Sequence, residues 1–429
     1  MIKKLLVIIV SIIVLKVNIF SYEPSSQKTI NQEETNSEIA TLKELIDEAL
    51  KNNPDIKSLT ENWEASKLRI PQASVWEDPQ LSFNIMDLPI KKFNFNIEPM
   101  TGKQLFLMQQ IPFPGKTSLK EKVAKEEVGI SAEMLYEKKN EIVKEVKNAY
   151  YDLYLVDKSI EITEKNKSLL ESFVKIVQSK YEVGKGIQQD VLKAQVELSR
   201  VIGKLITLRQ NRMTLISRIN TLLNRSPEAQ IVKLAEIEKS QFNFKIDELE
   251  KIAFDSRPVL KIMENEIVKN EYLYKLAQKD YYPNLNISLG YTQRDIGMDF
   301  ISAMFSVNIP LFINKKQGKK VEETAYTIAS VRERLIGMKN EIKYKIRELV
   351  HRIDEYNELF ELLNQGIIPQ ASQSLRSAIA GYQVASVDFL TLLNNQMTLF
   401  DYEIEYYRIL TDYEKSLADL EFILGKQLF

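Results

Sequence analysis

Residues 111–116 read Ile-Pro-Phe-Pro-Gly-Lys and open the stretch, 112–223, around which the rest of the chain is arranged. The next proline is residue 227, and the stretch is divided into two arms by Tyr-Glu-Val-Gly-Lys-Gly at residues 181–186. Apolar residues recur in both arms at spacings of three and four, which indicates helices. They include Ile142, Val146, Ala149, Tyr150, Leu153 and Val156, then Val191, Leu192, Val196 and Leu198. At a rise of about 1.5 Å per residue, the first arm is on the order of 100 Å long. A helical hairpin of that length has no compact core, so we expect it to bury its apolar stripe against other hairpins.

The composition excludes several classes of function. The 429 residues are 27% charged with a net charge of −1, which argues against a basic nucleic-acid-binding face. Cysteine is absent, which excludes disulfides, thiolate metal sites and a lipidated N-terminal cysteine. The single histidine, His351, has charged neighbours and is typical of a solvated helix face. Met86, Met100 and Met108 could offer thioethers to a soft metal, but methionine is more often a packing residue. No spacing of carboxylates, nucleophiles or metal ligands stands out, so the sequence predicts no enzyme, cofactor or metal site.

The N-terminus has the pattern of an export signal. Two lysines precede an apolar run at residues 5–15, which is too short to span a bilayer and is typical of a cleaved secretory peptide. We therefore assign 1–21 to a signal peptide and 22–40 to a polar N-terminal tail. No later segment has about 18 consecutive apolar residues, so no transmembrane helix is predicted.

The rest of the chain is an internal duplication. Leu45, Ala49 and the proline of Asn53-Pro54 return 204 residues later, and Ile-Pro-Phe at 111–113 returns as Ile-Pro-Leu at 309–311. The tip residues return at an offset of 201. Because the landmarks keep one order with small slips, we assign 41–225 to a first repeat, 226–246 to a linker or equatorial segment packed outside the long helices, and 247–429 to a second repeat.

Each repeat carries two predicted strands, at about 80–90 and 103–112, then at about 284–294 and 300–311. Apolar and polar residues alternate clearly along 285–292 and 301–309, and poorly along 104–111. Strands of this kind fit either an outer-membrane barrel or a hairpin covering a soluble domain, and the strands alone do not separate the two. The export signal and the long helices favour the barrel. Four strands cannot close a barrel, and an open edge cannot lie in lipid, so inserted strands require an oligomer.

The chain at this point resembles a known family. The duplicated helix–strand–strand–helix plan, the Tyr-Glu-Val-Gly tip leading to Asp-Val-Leu, and the start Leu-x-x-x-Ala-Leu-x-x-Asn-Pro are similar to TolC-type outer membrane factors. The likeness covers nearly the whole chain after residue 40. The segment 110–116 is most similar to the heavy-metal branch of that family, which works with resistance-nodulation-division pumps.

The resemblance implies a mainly helical fold with a small β part. Three chains would give twelve strands to one outer-membrane barrel, continued by a periplasmic α-barrel of long hairpins. It implies as partners two further copies of the chain, a periplasmic adaptor (membrane fusion protein), an inner-membrane pump of the resistance-nodulation-division type, and outer membrane lipid, but no nucleic acid. The tips would form the entrance and contact the adaptor. The tip residues that the resemblance singles out are Tyr181, Val183, Gly184, Gly186, Asp190, Tyr382, Val384, Val387, Thr391 and Asn394.

Two departures from the family pattern matter at the tips. In better-known members, Tyr, Arg and Asp side chains hold the entrance shut. Asp190 and Tyr382 match two of these positions, whereas Val387 stands at the arginine position and Thr391 and Asn394 stand at the two second-repeat aspartate positions. These residues argue against a salt-bridged lock. A ring of three Asp190 side chains is retained as an alternative way to close the entrance.

Two differences between the repeats are expected from glycine and proline. Gly184 and Gly186 suit a reversal that needs positive φ. The second tip has Ala385 and Ser386 there, so we expect a different turn. Gly366 and Pro369 should bend only the second long helix.

The sequence therefore predicts a passive exit duct: the outer membrane channel component of a tripartite efflux or type I secretion system, with the cargo open between metal ions and small toxic compounds. The alternative is an exported, soluble coiled-coil structural or adaptor protein.

Overall fold

The computed structural model describes residues 40–231 and 233–428. The first repeat comprises α1 (Leu42–Asn52), α2 (Pro54–Lys67), α3 (Arg69–Ala73), β1 (Gln80–Met86), β2 (Gly102–Ile111), α4 (Lys116–Glu182) and α5 (Gln188–Leu222). The second comprises α6 (Ile246–Ser256), α7 (Pro258–Lys279), β3 (Leu285–Gln293), β4 (Phe300–Val307), α8 (Gln317–Leu362), a π turn (Leu363–Ile367), α9 (Ile368–Gln383) and α10 (Phe389–Leu424). The prediction of a mainly helical chain with a small β part is confirmed. The predicted signal peptide and residues 22–39 of the polar tail lie outside the described residues.

The first helices begin where the sequence supplies caps. Thr41 and Glu44 form a reciprocal capping box, because the Thr41 hydroxyl accepts from the Glu44 amide and the Glu44 carboxylate accepts from the Thr41 amide. Asn53 caps α2 by accepting from the Asp55 amide at 2.9 Å. Its side-chain nitrogen also donates to the carbonyl of Leu222 at 3.0 Å, which ties this turn to the end of α5.

The prolines at positions 54 and 79 predict one helix between them, and this prediction is wrong in its extent. The helix breaks at Leu68 and ends at Ala73, whereas its counterpart α7 is continuous to Lys279. Pro71 lies in α3 and has no amide hydrogen to donate, so it cannot continue the hydrogen-bond ladder. The residues of α7 at the corresponding place include no proline.

The two long helices differ near Gly366 and Pro369, where the ladder of the second helix is interrupted. The helix α4 is a single unbroken run of 67 residues. In the second repeat the α-helical ladder is interrupted by the π turn, which contains Gly366 and ends just before Pro369. A π turn accommodates the missing amide of Pro369 because it shifts the hydrogen-bond register locally.

Three main apolar clusters hold the helices together. The first gathers α1, α2, α4 and α5, and the second gathers α6, α7, α8 and α10. The third lies towards the hairpin tips and joins α4 and α5 to α9 and α10. The helix α4 contacts α2, α5, α7 and α10, so it lies inside the array, whereas α5 and α8 lie towards its margins.

The segment 226–246 packs against the long helices. Ile231 and Leu234 are buried in the first cluster. Ser240 donates through its amide to the Glu414 carboxylate at 2.7 Å and accepts from the Tyr413 hydroxyl at 2.9 Å. The segment therefore joins both repeats.

The strands form one antiparallel sheet in the order β1-β2-β3-β4. Leu81 lies opposite Leu107, Leu107 opposite Leu289, and Leu289 opposite Ala303. One face is therefore mainly apolar, with Lys103 and Gln109 of β2 as polar exceptions, and the other carries Ser82, Asn84, Gln104, Ser288, Thr292 and Ser302.

The poor alternation of β2 has a cross-strand explanation. Phe106 lies on the polar face, opposite Gly290. A Cβ atom at Gly290 would collide with the Phe106 ring and lie 2.6 Å from the Ser302 hydroxyl oxygen, so these side chains occupy space that only glycine leaves free.

Within 40–231 and 233–428, no helix has the length and apolar character needed to cross a membrane.

Candidate functional site

The first hairpin tip is a tight reversal between α4 and α5. The amide of Gly184 donates to the carbonyl of Tyr181 at 3.0 Å, and the amide of Lys185 donates to that of Lys180 at 2.8 Å. Gly184 has φ +72°, the left-handed conformation that this kind of helix ending requires. Tyr181, Val183 and Gly184 are exposed, and Gly186 is half-buried.

The second tip uses the same turn, so the expected difference is wrong. The amide of Ala385 donates to the carbonyl of Tyr382 at 3.4 Å, and that of Ser386 donates to Gly381 at 2.9 Å. Ala385 has φ +59°, although its side chain disfavours this conformation. The helix-ending hydrogen bonds thus hold Ala385 in the left-handed conformation that Gly184 has at the first tip.

Val387, at the expected arginine position, packs back onto its own helix. A Cβ atom at Gly381 would come within 2.5 Å of Val387 Cγ2, so the side chain fills space above that glycine. Thr391 and Asn394 are exposed on the first turns of α10. None of these three side chains carries a charge, so they cannot contribute an ion pair at the tips.

The two tips meet instead through a lysine that the sequence analysis did not single out. The Lys180 ammonium lies 3.7 Å from the centroid of the Tyr382 ring and donates to the Tyr382 carbonyl at 3.2 Å. Lys180 directly precedes the tip tyrosine of the first repeat, and its counterpart in the second repeat is Gly381. This difference between the repeats, a lysine in the first and a glycine in the second, was the sequence signal that could have identified Lys180.

Acidic groups from both tips surround this contact. Partial burial raises the pKa of Asp190, and the nearby Asp388 raises it further while Lys180 opposes both. Burial and the charge of Asp190 raise the pKa of Tyr382. Asp388 caps α10 by accepting from the Thr391 amide at 2.8 Å and hydroxyl at 3.0 Å, and these hydrogen bonds lower its pKa. The tips can therefore respond to the protonation of Asp190.

Immediately behind the tips, an apolar cluster joins the two hairpins. Phe173 of α4 meets Phe389 of α10 edge to face, with ring centroids 6.4 Å apart. Leu170, Val177, Ala194 and Leu393 are buried around them. The charged tip contact thus lies at the end of a packed helical bundle.

At the opposite end of the hairpins, the sheet exposes its apolar face. Phe83 of β1 and Phe305 of β4 are 66% and 70% exposed. Every residue of β4 is exposed, and neither β1 nor β4 has a second partner strand among the described residues. Such an edge and such a face are a membrane or protein contact surface.

The sheet offers no support for the thioether site considered above. Met86 accepts a hydrogen bond from the Gln104 side chain, at 3.2 Å between nitrogen and sulfur. Among the residues that the structure describes, no group of His, Asp and Glu side chains could hold a metal ion.

Comparisons with known proteins agree with this architecture. Residues 45–225 match the family model described as outer membrane efflux protein. The chain is 21% identical over 172 residues to the cobalt-zinc-cadmium resistance protein CzcC of Cupriavidus metallidurans, a match that spans 40% of this chain and 41% of that protein.

Solved structures share the fold over most of the chain. The outer membrane protein VceC of Vibrio cholerae superposes with a TM-score of 0.76 at 16% identity, covering 90% of this chain and 96% of VceC. A membrane protein of Pseudomonas aeruginosa gives 0.78 at 16% identity, covering 89% and 93%, and CusC gives 0.75 at 13% identity, covering 90% and 92%. The first repeat thus matches the outer membrane efflux protein family model, and both repeats together have the fold of solved TolC-type outer membrane channels.

Proposed function

We propose that this protein is the outer membrane channel component of a tripartite efflux or type I secretion system. Three copies form one passive duct, with the strands in the outer membrane and the helical hairpins in the periplasm. The single observation that carries the proposal is the sheet at the end of the hairpins, which has an exposed apolar face and two unpaired edges. Because unpaired backbone groups are costly in lipid, such a sheet needs neighbouring copies to close it.

The tips are the entrance and the adaptor-contacting surface in this proposal. Tyr181, Val183 and Val384 are exposed there, and the residues Gly184, Gly186, Asp190, Tyr382, Val387, Thr391 and Asn394 complete the two turns. The partners are a periplasmic adaptor and an inner-membrane pump, which supplies energy and selects cargo. The likeness to CzcC favours a resistance-nodulation-division pump and metal ions as cargo, with small toxic compounds as the second class. The chain itself acts as a duct and not as an enzyme.

Adjacent residues of β4 provide a test with an internal control. Ala303 lies on the apolar face, and Met304 lies on the opposite face. A lysine facing lipid near the bilayer midplane costs roughly 2–4 kcal/mol, whereas a lysine facing a water-filled bore costs little. We expect Ala303→Lys to abolish carbonate-resistant membrane assembly and Met304→Lys to retain it.

Pore formation tests the same proposal directly. Purified protein in detergent should have the mass of a trimer and give discrete conductance steps in planar bilayers. A monomeric protein that forms no pores, and that carbonate washing releases from membranes, would instead be the exported soluble coiled-coil protein.

A further inference from the structure

The pairing of β2 with β3 within one chain indicates how the two open edges, β4 and β1, pair between copies. Within one chain, β2 ends the first hairpin and pairs with β3 of the second, with Ile111 opposite Leu285 and Leu107 opposite Leu289. Because the repeats are duplicates, the contact between β4 of one copy and β1 of the next is the counterpart of this pairing. Ile309 corresponds to Ile111, and Leu81 corresponds to Leu285.

We propose that β4 of one copy pairs antiparallel with β1 of a second copy in one defined register. In that register Leu81 lies opposite Ile309, Phe83 opposite Val307, and Ile85 opposite Phe305. The inference rests on the proposed function, since it requires neighbouring copies in a closed ring. It goes further by assigning the residue pairs that join them.

The faces of the two edge strands are consistent with this register. Leu81, Phe83 and Ile85 lie on the apolar face of β1, and Phe305 and Val307 lie on the same face of β4. Side chains alternate between faces along a strand, so a slip of one residue would oppose apolar to polar faces. A slip by an even number of residues, of which two is the smallest, keeps the apolar face of one strand beside the apolar face of the other.

The tilt of the strands separates the proposed register from one such slip. The two intrachain hairpins differ by two residues in their own registers, because Leu81 opposes Leu107 whereas the counterpart Leu285 opposes Val307. Extending that difference to the closure would place Phe83 opposite Ile309. A path from Leu81 to the opposed residue on β2, then on β3, then on β4, and finally on β1 of the next copy does not return to the residue equivalent to Leu81. It arrives about six residues further along β1 in the proposed register, and about eight residues further in the slipped register.

With a rise of about 3.4 Å and a strand spacing of about 4.8 Å, these advances give tilts of about 47° and about 55°. Membrane barrels tilt by about 35–45°, so the proposed register is the closer of the two. A slip of two residues in the other direction, with Phe83 opposite Phe305, advances about four residues and tilts the strands by about 35°. The tilt therefore argues only against the steeper register, and the counterpart pairing of β2 with β3 selects between the other two.

Charge at the strand-to-helix junction supports the same neighbour. Inside the chain, the Lys116 ammonium is 3.1 Å from the Asp280 carboxylate and donates to the Tyr282 carbonyl at 3.2 Å, which ties the start of α4 to the end of α7. At the counterpart ends, Lys315 and Lys316 precede α8, and residues 77–78, a glutamate and an aspartate, precede β1. All four of these side chains are exposed. Pairing of β4 with β1 of the next copy brings the two lysines of one copy close to the two acidic residues of the next.

The absence of cysteine from the chain makes disulfide mapping clean. The double variant Phe83→Cys with Val307→Cys is assembled in membranes, oxidised with diamide, and analysed by non-reducing electrophoresis. Directly opposed Cβ atoms lie about 4.5–5.5 Å apart, within reach of a disulfide, whereas diagonal pairs lie about 7–8 Å apart. Within one chain, β1 and β4 are separated by two strands, about 14 Å, so only intermolecular bonds can form.

The matched controls are Phe83→Cys with Ile309→Cys, and Phe83→Cys with Phe305→Cys. We expect at least tenfold more covalent dimer and trimer from the first pair than from either control, and none from the single variants. Preferential bonding in a control pair would overturn the register while leaving the ring intact. The absence of intermolecular bonds in all three pairs, together with a monomeric mass in detergent, would overturn the ring itself.

Discussion

The contact between Lys180 and Tyr382 gives a direct prediction about opening of the entrance. Lys180→Met removes the cation 3.7 Å from the Tyr382 ring and the donor 3.2 Å from its carbonyl. A partly exposed cation–π contact is worth about 0.5–1 kcal/mol, and a hydrogen bond from a charged donor adds about 1 kcal/mol at such a site. The tips of each chain should therefore separate more readily by about 1.5–2 kcal/mol, which is roughly a thirteen- to thirtyfold change in the equilibrium.

Single-channel recording in planar bilayers measures this change. We expect Lys180→Met to raise open probability or conductance, and Lys185→Met to leave both unchanged. Lys185 is the matched control because it is an exposed lysine on the same turn, where its amide donates to the Lys180 carbonyl. A Lys180→Met channel that conducts like the parent would refute the assignment of this contact as a restraint on the tips.

The same variant should change the response to pH. Lys180 opposes the upward shift in the pKa of Asp190, so its removal should raise that pKa further. A carboxyl group with a raised pKa disfavours the closed tips when it is ionised, and this cost disappears as the pH falls through that pKa. Acidification should therefore reduce conductance, and in Lys180→Met the reduction should begin at a higher pH. A double variant that also carries Asp190→Asn should lose the transition.

Other changes test the turn, the sheet and the helical core. Ala385→Gly should relieve the left-handed strain at the second tip, worth about 1 kcal/mol, and slow hydrogen exchange there; faster exchange would contradict this explanation. Gly290→Ala should reduce the yield of assembled channel because its Cβ would meet the Phe106 ring and the Ser302 hydroxyl, and a variant that also carries Phe106→Ala and Ser302→Ala should restore assembly; failure of that rescue would exclude the clash as the cause. Lys147→Met should destabilise the chain by about 3–5 kcal/mol by leaving the buried Glu421 carboxylate without its ion-pair partner, and a double variant with Glu421→Leu should recover most of this in thermal unfolding.

The fold was predictable where local patterns decide it. Prolines and caps such as Asn53-Pro54 mark helix ends, and periodicity identifies the long hairpins because each stripe must be buried. The duplication then transfers each assignment from one repeat to the other. It also misled at the second tip, where residue identity suggested a different turn. The hydrogen bonds of the helix ending outweighed the preference of Ala385 for negative φ.

Features that depend on distant partners were not predictable. Phe106 made β2 look irregular because its fit depends on Gly290, which lies far along the chain on the paired strand. Lys180 is one of many lysines on helix surfaces, and only the folded chain places it on Tyr382. Lys147 and Glu421 have the composition of a solvated face, yet both are buried.

The duplication also allows the helix contact within a chain to be compared with its counterpart between neighbouring copies of the proposed ring. Within the chain, α4 meets α10 through the buried pair of Lys147 and Glu421. The counterparts of these residues, at the offset of the tips, are Glu348 on α8 and Asn220 on α5. Glu348 pairs with Lys345 and Arg352 on its own helix. Asn220 donates to the carbonyls of Pro227 and Ala229, while its side-chain oxygen is buried without a hydrogen-bond partner. In the proposed ring, the joint between copies has a glutamate and an asparagine at these positions, and this pair includes no cation, so it cannot form an ion pair like that of Lys147 and Glu421. Motion that widens the entrance should consequently divide the ring between copies along the helices, while the strand pairing at the other end keeps it closed.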